Sequence, residues 1–251
     1  MSAAQIASLA LAGVAAGAIN TVVGSGTLIT FPVLLAFGYA PVTANVANTI
    51  GLAPGSASGA WGYRRLLAGQ RGSAISLGVS SALGGVIGAV LLLVLPASSF
   101  AEIVPGFITL ALILTVLQPR LGARFQKHEG GIGSRRRAVA LVAVFASAVY
   151  GGYFGAGQGI ILIAILAVLL AQDLQRANAL KTVLTGSVNG VAGVYFLLAA
   201  HVEWGPAATI AVASIVGAQF GARFAKRLKP TTLRAIIVGV GILAVVDLLA
   251  G

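Results

Sequence analysis

The chain is organised around NTVVGSGT, residues 20–27, where two glycines and small polar residues interrupt a long apolar run. We call these residues the first break. The second break, YFGAGQG at residues 153–159, interrupts a later apolar run, and Gly24 and Gly157 are 133 residues apart, as are the following glycines. Two Gly-interrupted hydrophobic segments at matching positions of two halves indicate the substrate site of a membrane transporter. We therefore predict a transporter whose site lies between the two breaks.

The composition indicates a membrane protein. Hydrophobic residues make up 58% of the chain and charged residues 8%, whereas a soluble domain carries about 25% charged residues. Uncharged runs of about 20 residues predict helical spans, so we expect an all-α polytopic protein of the cell (inner or plasma) membrane. The net charge of +11 comes from basic residues in short loops, which is typical of membrane topology and not of a nucleic-acid interface. The absence of cysteine excludes disulfides and thiolate metal sites.

The apolar runs predict two repeats, each made of a broken helix and three transmembrane helices. The first repeat covers residues 1–118, with a hairpin at 5–38 and spans at 42–63, 73–95 and 102–118. The second repeat covers residues 138–251, with a hairpin at 138–172 and spans at 177–200, 207–222 and 231–249. A basic cytoplasmic linker, residues 119–137, joins the two repeats.

Length predicts that each broken helix folds back on itself. The apolar runs 5–23 and 27–38, joined as one straight helix, would be roughly 47 Å long. The hydrocarbon core of a bilayer is only ~30 Å thick. Gly24 and Gly26 are therefore expected to turn the chain into a hairpin, and the second break is expected to do the same.

At an offset of 133 residues, the halves match at glycines of the breaks, at polar residues inside spans and at small residues of a helix-packing motif. The matched pairs are Gly24/Gly157, Gly26/Gly159, Ala44/Ala177, Asn45/Asn178, Thr49/Thr182, Gly84/Gly217, Gly88/Gly221 and Ala89/Ala222. Overall identity is barely above chance for an Ala- and Gly-rich chain, so a coincidence of composition is the alternative to a repeat. The two Gly-xxx-Gly motifs indicate close helix packing, either within the fold or across a homodimer interface.

Loop charges predict that the second repeat is inverted relative to the first. In the first half, Arg64, Arg65 and Arg71 lie between the second and third elements, and the next loop has no Lys or Arg. In the second half the order is exchanged, because the loop around His201 lacks Lys and Arg and the following loop, 223–229, is basic. If both hairpins return to their own side, the positive-inside rule puts the basic loops in the cytoplasm and both termini outside.

Polar residues recur at helical spacing at the start of the second span of each half. The two sets are Asn45, Asn48, Thr49 and Asn178, Lys181, Thr182. Residues at i, i+3 and i+4 share a helix face, and polar groups in hydrocarbon normally face a cavity or another helix. One alternative is hydrogen bonds that only join helices, worth about 0.6 kcal/mol each. For Lys181, the alternative is a side chain that snorkels to the cytoplasmic interface.

The breaks and the polar sets together define the predicted site near the membrane midplane. Its predicted substrate-binding residues are Asn20, Thr21, Gly24, Ser25, Gly26, Asn45, Asn48, Thr49, Tyr153, Gly157, Gln158, Gly159, Asn178, Lys181, Thr182 and Asn189. The five carboxylates lie in loops or near segment ends, at Glu102, Glu129, Asp173, Glu203 and Asp247. Helix N-termini and Gly-rich turns attract anions, and Lys181 adds a positive charge. We therefore expect a small anionic substrate, with no metal, no cofactor and no nucleic acid.

Four strings and one proline carry a resemblance to a known family. They are ANVANTIGLAPGS at 44–56, GYFGAGQGI at 152–160, RANALKTVLTGSVNGVAGVYF at 176–196 and VEW at 202–204, with Pro32 downstream of the first break. Over nearly the whole chain the sequence resembles the TauE/SafE family of sulfite exporters, which are membrane permeases of sulfur compounds. The resemblance implies export or uptake of sulfite, thiosulfate or an organosulfonate. One departure is Ala47, where the family often has threonine, which removes an expected hydroxyl contact.

Three classes of function compete. The first is a secondary transporter that exports a small sulfur-containing anion, sulfite or an organosulfonate. The second is a permease of the same fold for another solute, such as thiosulfate taken up, another organic acid or a metal ion. The third is a membrane enzyme or scaffold, and the sequence lacks the cluster of His, carboxylates or nucleophile with a base that an enzyme needs. We therefore expect no enzymatic activity.

Overall fold

The structure, a computed structural model, describes residues 1–124, 133–170 and 174–224, together with residues 238, 239 and 242. Over these residues the chain forms helices and no strand. The helices are α1 (Ala3–Val22), α2 (Thr27–Ala36), α3 (Pro41–Gly62), α4 (Arg71–Val94), α5 (Ala97–Arg124), α6 (Ser134–Tyr153), α7 (Gln158–Leu169), α8 (Leu174–Ala199) and α9 (Trp204–Phe224). Apart from residues 238, 239 and 242, the predicted last span at 231–249 lies outside the described residues, as do the middle of the basic linker and the loop residues 225–229.

Five of the described helices are long and apolar enough to cross a membrane. They are Ala3–Val22, Arg71–Val94, Ala97–Leu117, Gln175–Ala199 and Trp204–Arg223. Large apolar side chains such as Leu11, Val94 and Leu198 are exposed on the outside of the bundle, as lipid surroundings permit. Over the described residues, the prediction of an all-α protein with several helices able to span a membrane is confirmed.

The first break ends one helix and begins another that folds back on it. Helix α1 starts with a capping box between Ser2 and Gln5, and it ends at Val22 just before Gly24, whose φ is +91°. A Cβ on Gly26 would lie 2.6 Å from the carbonyl oxygen of Ala16. In a continuous helix these two residues would be about 15 Å apart, so the chain reverses here.

Helix α9 runs parallel to both α1 and α3. A Cβ on Gly51 would lie 2.6 Å from the Cβ of Ile210, and one on Gly62 would lie 2.5 Å from the Cβ of Ala222. At the start of α1 the sulfur of Met1 lies 3.4 Å from the Cβ position of Gly205. Helices α1 and α3 therefore begin on the same side of the bundle, and the α1–α2 hairpin enters and leaves on that side.

Helices α4 and α6 form a second parallel pair. Ser80 Oγ donates to the carbonyl oxygen of Leu141 at 2.8 Å, and a Cβ on Gly84 would lie 2.5 Å from the carbonyl oxygen of Phe145. Gly217, which matches Gly84 at the repeat offset, makes the corresponding approach to the carbonyl oxygen of Val14 in the α1–α9 pair. The Gly-xxx-Gly motifs are thus used for packing inside the chain, because small residues let two helix backbones come close.

Several helix ends carrying arginine lie on one side of the bundle. Arg137 Nη2 donates to Ser76 Oγ at 3.5 Å, which brings together the starts of α6 and α4. Gln70 Nε2 lies 3.5 Å from the carbonyl oxygen of Arg176, which adds the start of α8. Leu170, just after α7, lines the same cavity of about 120 Å³ as Arg137. The α6–α7 hairpin therefore returns to the side on which it began, and we call this side the basic face. Its arginines include Arg64, Arg65, Arg71, Arg135, Arg136, Arg137, Arg176 and Arg223.

Candidate functional site

The two breaks meet inside the bundle. The N–H of Gly159 donates to the carbonyl oxygen of Gly24 at 3.1 Å, and a Cβ on Gly24 would lie 2.5 Å from the Cα of Gly159. Such a backbone approach requires glycine on both sides. Gly24 and Gly157 also have φ values of +91° and +73°, which favour glycine because it lacks a Cβ. The structure therefore brings together the two stretches that the sequence singled out.

The first break presents unused main-chain donors. Within the described part of the chain, the N–H groups of Ser25, Gly26 and Thr27 have no acceptor. Ser25 is 1% exposed, and its Oγ also has no hydrogen-bond partner among the described residues. These donors lie at the N-terminus of α2, the positive end of the helix dipole. An arrangement of this kind can bind an anion without a charged side chain.

Lys181 lies against the two breaks and is completely buried. Its side chain is 0% exposed, and its Cδ lies 3.1 Å from the Cβ position of Gly24. Its Nζ donates to the carbonyl oxygen of Asn20 at 2.8 Å and to that of Thr21 at 3.2 Å. Lys181 therefore does not snorkel to the interface, because its ammonium binds the last carbonyls of α1.

Two matched asparagines cap the broken helices of the opposite halves. Asn178 Nδ2 donates to the carbonyl oxygen of Thr21 at 3.2 Å and to Tyr63 Oη at 3.1 Å. Asn45 Nδ2 donates to the carbonyl oxygen of Tyr153 at 2.9 Å. Carbonyls at a helix C-terminus have no intrahelical donor, and each asparagine supplies one. Among the described residues, the Oδ1 atoms of both asparagines are buried without a partner.

The other members of the polar sets bind within their own half. Asn48 Nδ2 donates to Thr27 Oγ1 at 3.2 Å, and Thr30 donates to Asn48 Oδ1. Thr182 Oγ1 donates to the carbonyl oxygen of Asn178 at 2.9 Å, one turn earlier on α8. Thr49 is 5% exposed. Asn48 therefore fixes α3 to the start of α2, whereas the hydroxyl of Thr182 is used by its own helix.

A polar cluster joins α1, α3 and α8 beside the first break. Asn20 Nδ2 and Asn189 Nδ2 both donate to Ser56 Oγ, at 3.2 and 3.3 Å. Ser56 and Asn189 are themselves 133 residues apart, the same offset that relates the breaks. If a two-fold axis relates the two halves, equivalent residues can touch each other only near that axis. The contact between Ser56 and Asn189 is therefore one that such an axis would produce. Ser56 was not among the predicted site residues, although its offset from Asn189 could have identified it.

Aromatic rings cover the second break on one side. The ring of Tyr153 packs on that of Phe100 at 5.4 Å, and Phe154 packs on Phe31 at 5.0 Å. Phe107 contacts both Tyr153 and Phe154. The Oη of Tyr153 has no partner among the described residues. These phenylalanines are scattered along the sequence, so no spacing could have predicted the cluster.

Gln158 binds away from the point where the breaks meet. Its Nε2 donates to the carbonyl oxygen of Ser147 at 3.1 Å, which holds the start of α7 against α6. Ser25, Asn45 and Lys181 are all at most 1% exposed, so the site is closed in this conformation. Opening it to either side of the membrane requires the hairpins or the helices around them to move.

Comparisons with known proteins identify relatives over nearly the whole chain. A family model described as "Sulfite exporter TauE/SafE" matches residues 9–248. A "Probable membrane transporter protein" of Haemophilus influenzae is 28% identical over 236 residues, which cover 93% of this chain and 90% of that protein. The "Probable membrane transporter protein YfcA" of Escherichia coli K12 is 26% identical over 225 residues, 89% of this chain and 81% of that protein. "Probable membrane transporter protein ORF9" of Sinorhizobium sp. is 28% identical over 246 residues, which cover 98% of this chain and 92% of that protein. No solved structure matches significantly.

Proposed function

Because the chain belongs to the TauE/SafE sulfite exporter family of membrane transporters, we propose that it is a secondary transporter that exports a small sulfur-containing anion. Sulfite or an organosulfonate is the proposed substrate. The proposed route passes the point where the two breaks meet, between α1, α2, α7 and α8.

The observation that carries this proposal is that unused N–H groups and a buried lysine lie together at the first break. The N–H groups of Ser25, Gly26 and Thr27 lack acceptors in the described part of the chain. Lys181 is the one charged side chain that is buried among the described residues. Burying a charge is costly unless it is paired. An oxyanion beside the first break would accept from the free N–H groups and lie in the field of the ammonium.

The proposed architecture is a pair of inverted repeats. Three observations support it: α1 packs on α9 as α6 packs on α4, each hairpin returns to its own side, and Ser56 touches Asn189 at the repeat offset. In transporters built this way, one repeat moves against the other about a fixed site near the midplane. The reciprocal caps of Asn45 and Asn178 cross between the halves, so they are the contacts that such a motion would strain.

The proposed orientation follows from the basic face. Cytoplasmic loops of membrane proteins carry an excess of Lys and Arg, so we assign the basic face to the cytoplasm and both termini to the outside of the cell membrane. The aromatic cluster around Phe100 then lies toward the outside, because α5 begins on the side opposite the basic face.

Substrate-dependent thermal stabilisation of the purified protein tests the proposal. The panel is sulfite, sulfate, thiosulfate, sulfoacetate, a non-sulfur organic acid and divalent metal ions. We expect sulfite or sulfoacetate to stabilise most. Stabilisation by thiosulfate, the organic acid or a metal ion alone would favour a permease of the same fold for that solute.

The Lys181→Gln variant tests the site within the same assay. The substitution keeps a donor and most of the length but removes the charge, so anion binding should weaken by about 1.5–3 kcal/mol, roughly 10- to 150-fold. Arg71→Gln is the matched control, since it removes one positive charge from the exposed basic face. Equal affinities in the two variants would mean that Lys181 does not act on the anion.

A further inference from the structure

The ammonium of Lys181 lies where secondary transporters commonly hold a free cation. In broken helices, the carbonyls at a half-helix C-terminus coordinate the coupling Na⁺. Here the carbonyl oxygens of Asn20 and Thr21, in the last turn of α1, lie 2.8 and 3.2 Å from Lys181 Nζ. Carbonyls of this type are here bound by a side chain.

The partners that the structure gives this ammonium are main-chain oxygens. The last carbonyls of a helix carry partial negative charge and lack helical donors. Lys181 is 0% exposed, so bulk solvent does not reach it. Two neutral main-chain oxygens beside a buried positive charge are ligands of the type that also bind a monovalent metal ion.

Asn178, which shares a carbonyl partner with Lys181, carries a further buried oxygen. Asn178 Nδ2 donates to the same Thr21 oxygen that binds Lys181, and Asn178 Oδ1 has no partner among the described residues. The position of the first half that matches Lys181 is Asn48, which is neutral and bonded to Thr27 and Thr30. The described site therefore carries this cation in one half only.

We propose that Lys181 is a tethered cation that permanently fills a monovalent-cation site at the end of α1. The fixed charge then does for the anion site what a bound Na⁺ or K⁺ does elsewhere, so that anion binding needs neither ion. This last consequence rests on the proposed anion transport, whereas the cation site itself does not.

The test is to remove the tether and offer the cation back in free form. Lys181→Ala deletes Cγ, Cδ, Cε and Nζ, which together correspond to n-propylammonium. The variant is purified in choline chloride, and its thermal unfolding is followed with Na⁺, K⁺, n-propylammonium or 1-propanol added. We expect a midpoint well below that of the wild type in choline, recovered mostly by n-propylammonium, partly by Na⁺ or K⁺, and not by 1-propanol.

Two further proteins make the test decisive. Lys181→Met fills the same volume without a charge, so no cation should raise its midpoint. The wild type should unfold at the same temperature in Na⁺, K⁺ and choline. If Lys181→Ala cannot be purified folded, Lys181→Asn, which copies the matched position 48, takes its place in the same panel.

Either of two results would overturn the inference. One is an alanine or asparagine variant that responds to cations no more than Lys181→Met does. The other is a wild type that Na⁺ or K⁺ stabilises specifically, or that binds sulfite only in their presence. A wild type that binds none of the anions would count against the proposed transport alone, because the unfolding series needs no substrate.

Discussion

Replacing Gly24 with alanine should destabilise the protein more than a conformational penalty alone explains. At φ +91° an alanine pays about 1–2 kcal/mol of backbone strain. Its Cβ would also lie 2.5 Å from the Cα of Gly159, which is backbone and cannot rotate away. Overpacking of that kind typically costs about 1–3 kcal/mol, so we expect a total loss of roughly 2–5 kcal/mol.

Gly38 offers a matched control for the backbone term. Its φ is +85°, and a Cβ there would have no atom within 4 Å. Gly38→Ala should therefore lose only about 1–2 kcal/mol. The extra loss in Gly24→Ala, about 1–3 kcal/mol, measures the contact between the two breaks and corresponds to roughly 2–12 °C in midpoint for a chain of this size.

Thermal unfolding of both variants in one detergent measures this difference, and sulfite titration follows on the folded fractions. Gly24→Ala should also lose sulfite affinity, because the added methyl group pushes the two breaks apart, whereas Gly38→Ala should keep it. If the two variants unfold together and bind sulfite alike, then the breaks do not make the tight contact from which the site is built.

Three other expectations follow from the proposed topology, from the asparagine caps and from the charge of the proposed substrate. Single cysteines in place of Arg65, Gly131 and Lys226 should be labelled from the cytoplasm only, and the cysteine-free chain provides a clean background; labelling of the last two from opposite faces contradicts the hairpin topology. Asn45→Leu should lose about 1–3 kcal/mol in denaturant unfolding, because the buried carbonyl of Tyr153 loses its donor, whereas Asn178→Leu should lose less, because Lys181 still donates to the carbonyl of Thr21; a loss in neither would mean that the caps are not formed. Export should follow the membrane potential, which favours exit of a monovalent anion by about 2.3 kcal/mol per 100 mV when the inside is negative; transport that persists with the potential clamped at zero but stops without a pH gradient speaks against this driving force.

Glycines and periodic polar residues carried most of what the sequence could predict. Gly24, Gly26, Gly157 and Gly159 interrupt apolar runs in closely spaced pairs, and each glycine weakens a helix by about 1 kcal/mol, so the breaks and the helices around them could be predicted. Their matching separation also indicated that the two breaks belong together, and Gly24 and Gly159 do touch.

The partners of those residues were not visible in the sequence. Lys181 binds the main-chain carbonyls of residues 20 and 21. Every residue has a main-chain carbonyl, so the side chains at these positions do not indicate the contact. Asn45 and Asn178 also donate to main-chain carbonyls of the opposite half, so these two contacts could not be predicted either. The aromatic cluster around Phe100 depends on how α2, α5 and the second break pack, which no local spacing encodes.

Counterflow of radiolabelled sulfite into proteoliposomes bears directly on the claim that the site carries a sulfur oxyanion. Vesicles preloaded with unlabelled sulfite should accumulate the label when they contain the wild type, and much less when they contain Gly24→Ala at equal protein density. Gly38→Ala should behave as the wild type does. Accumulation that is the same in protein-free vesicles, or that Gly24→Ala leaves unchanged, would contradict transport of sulfite between the two breaks.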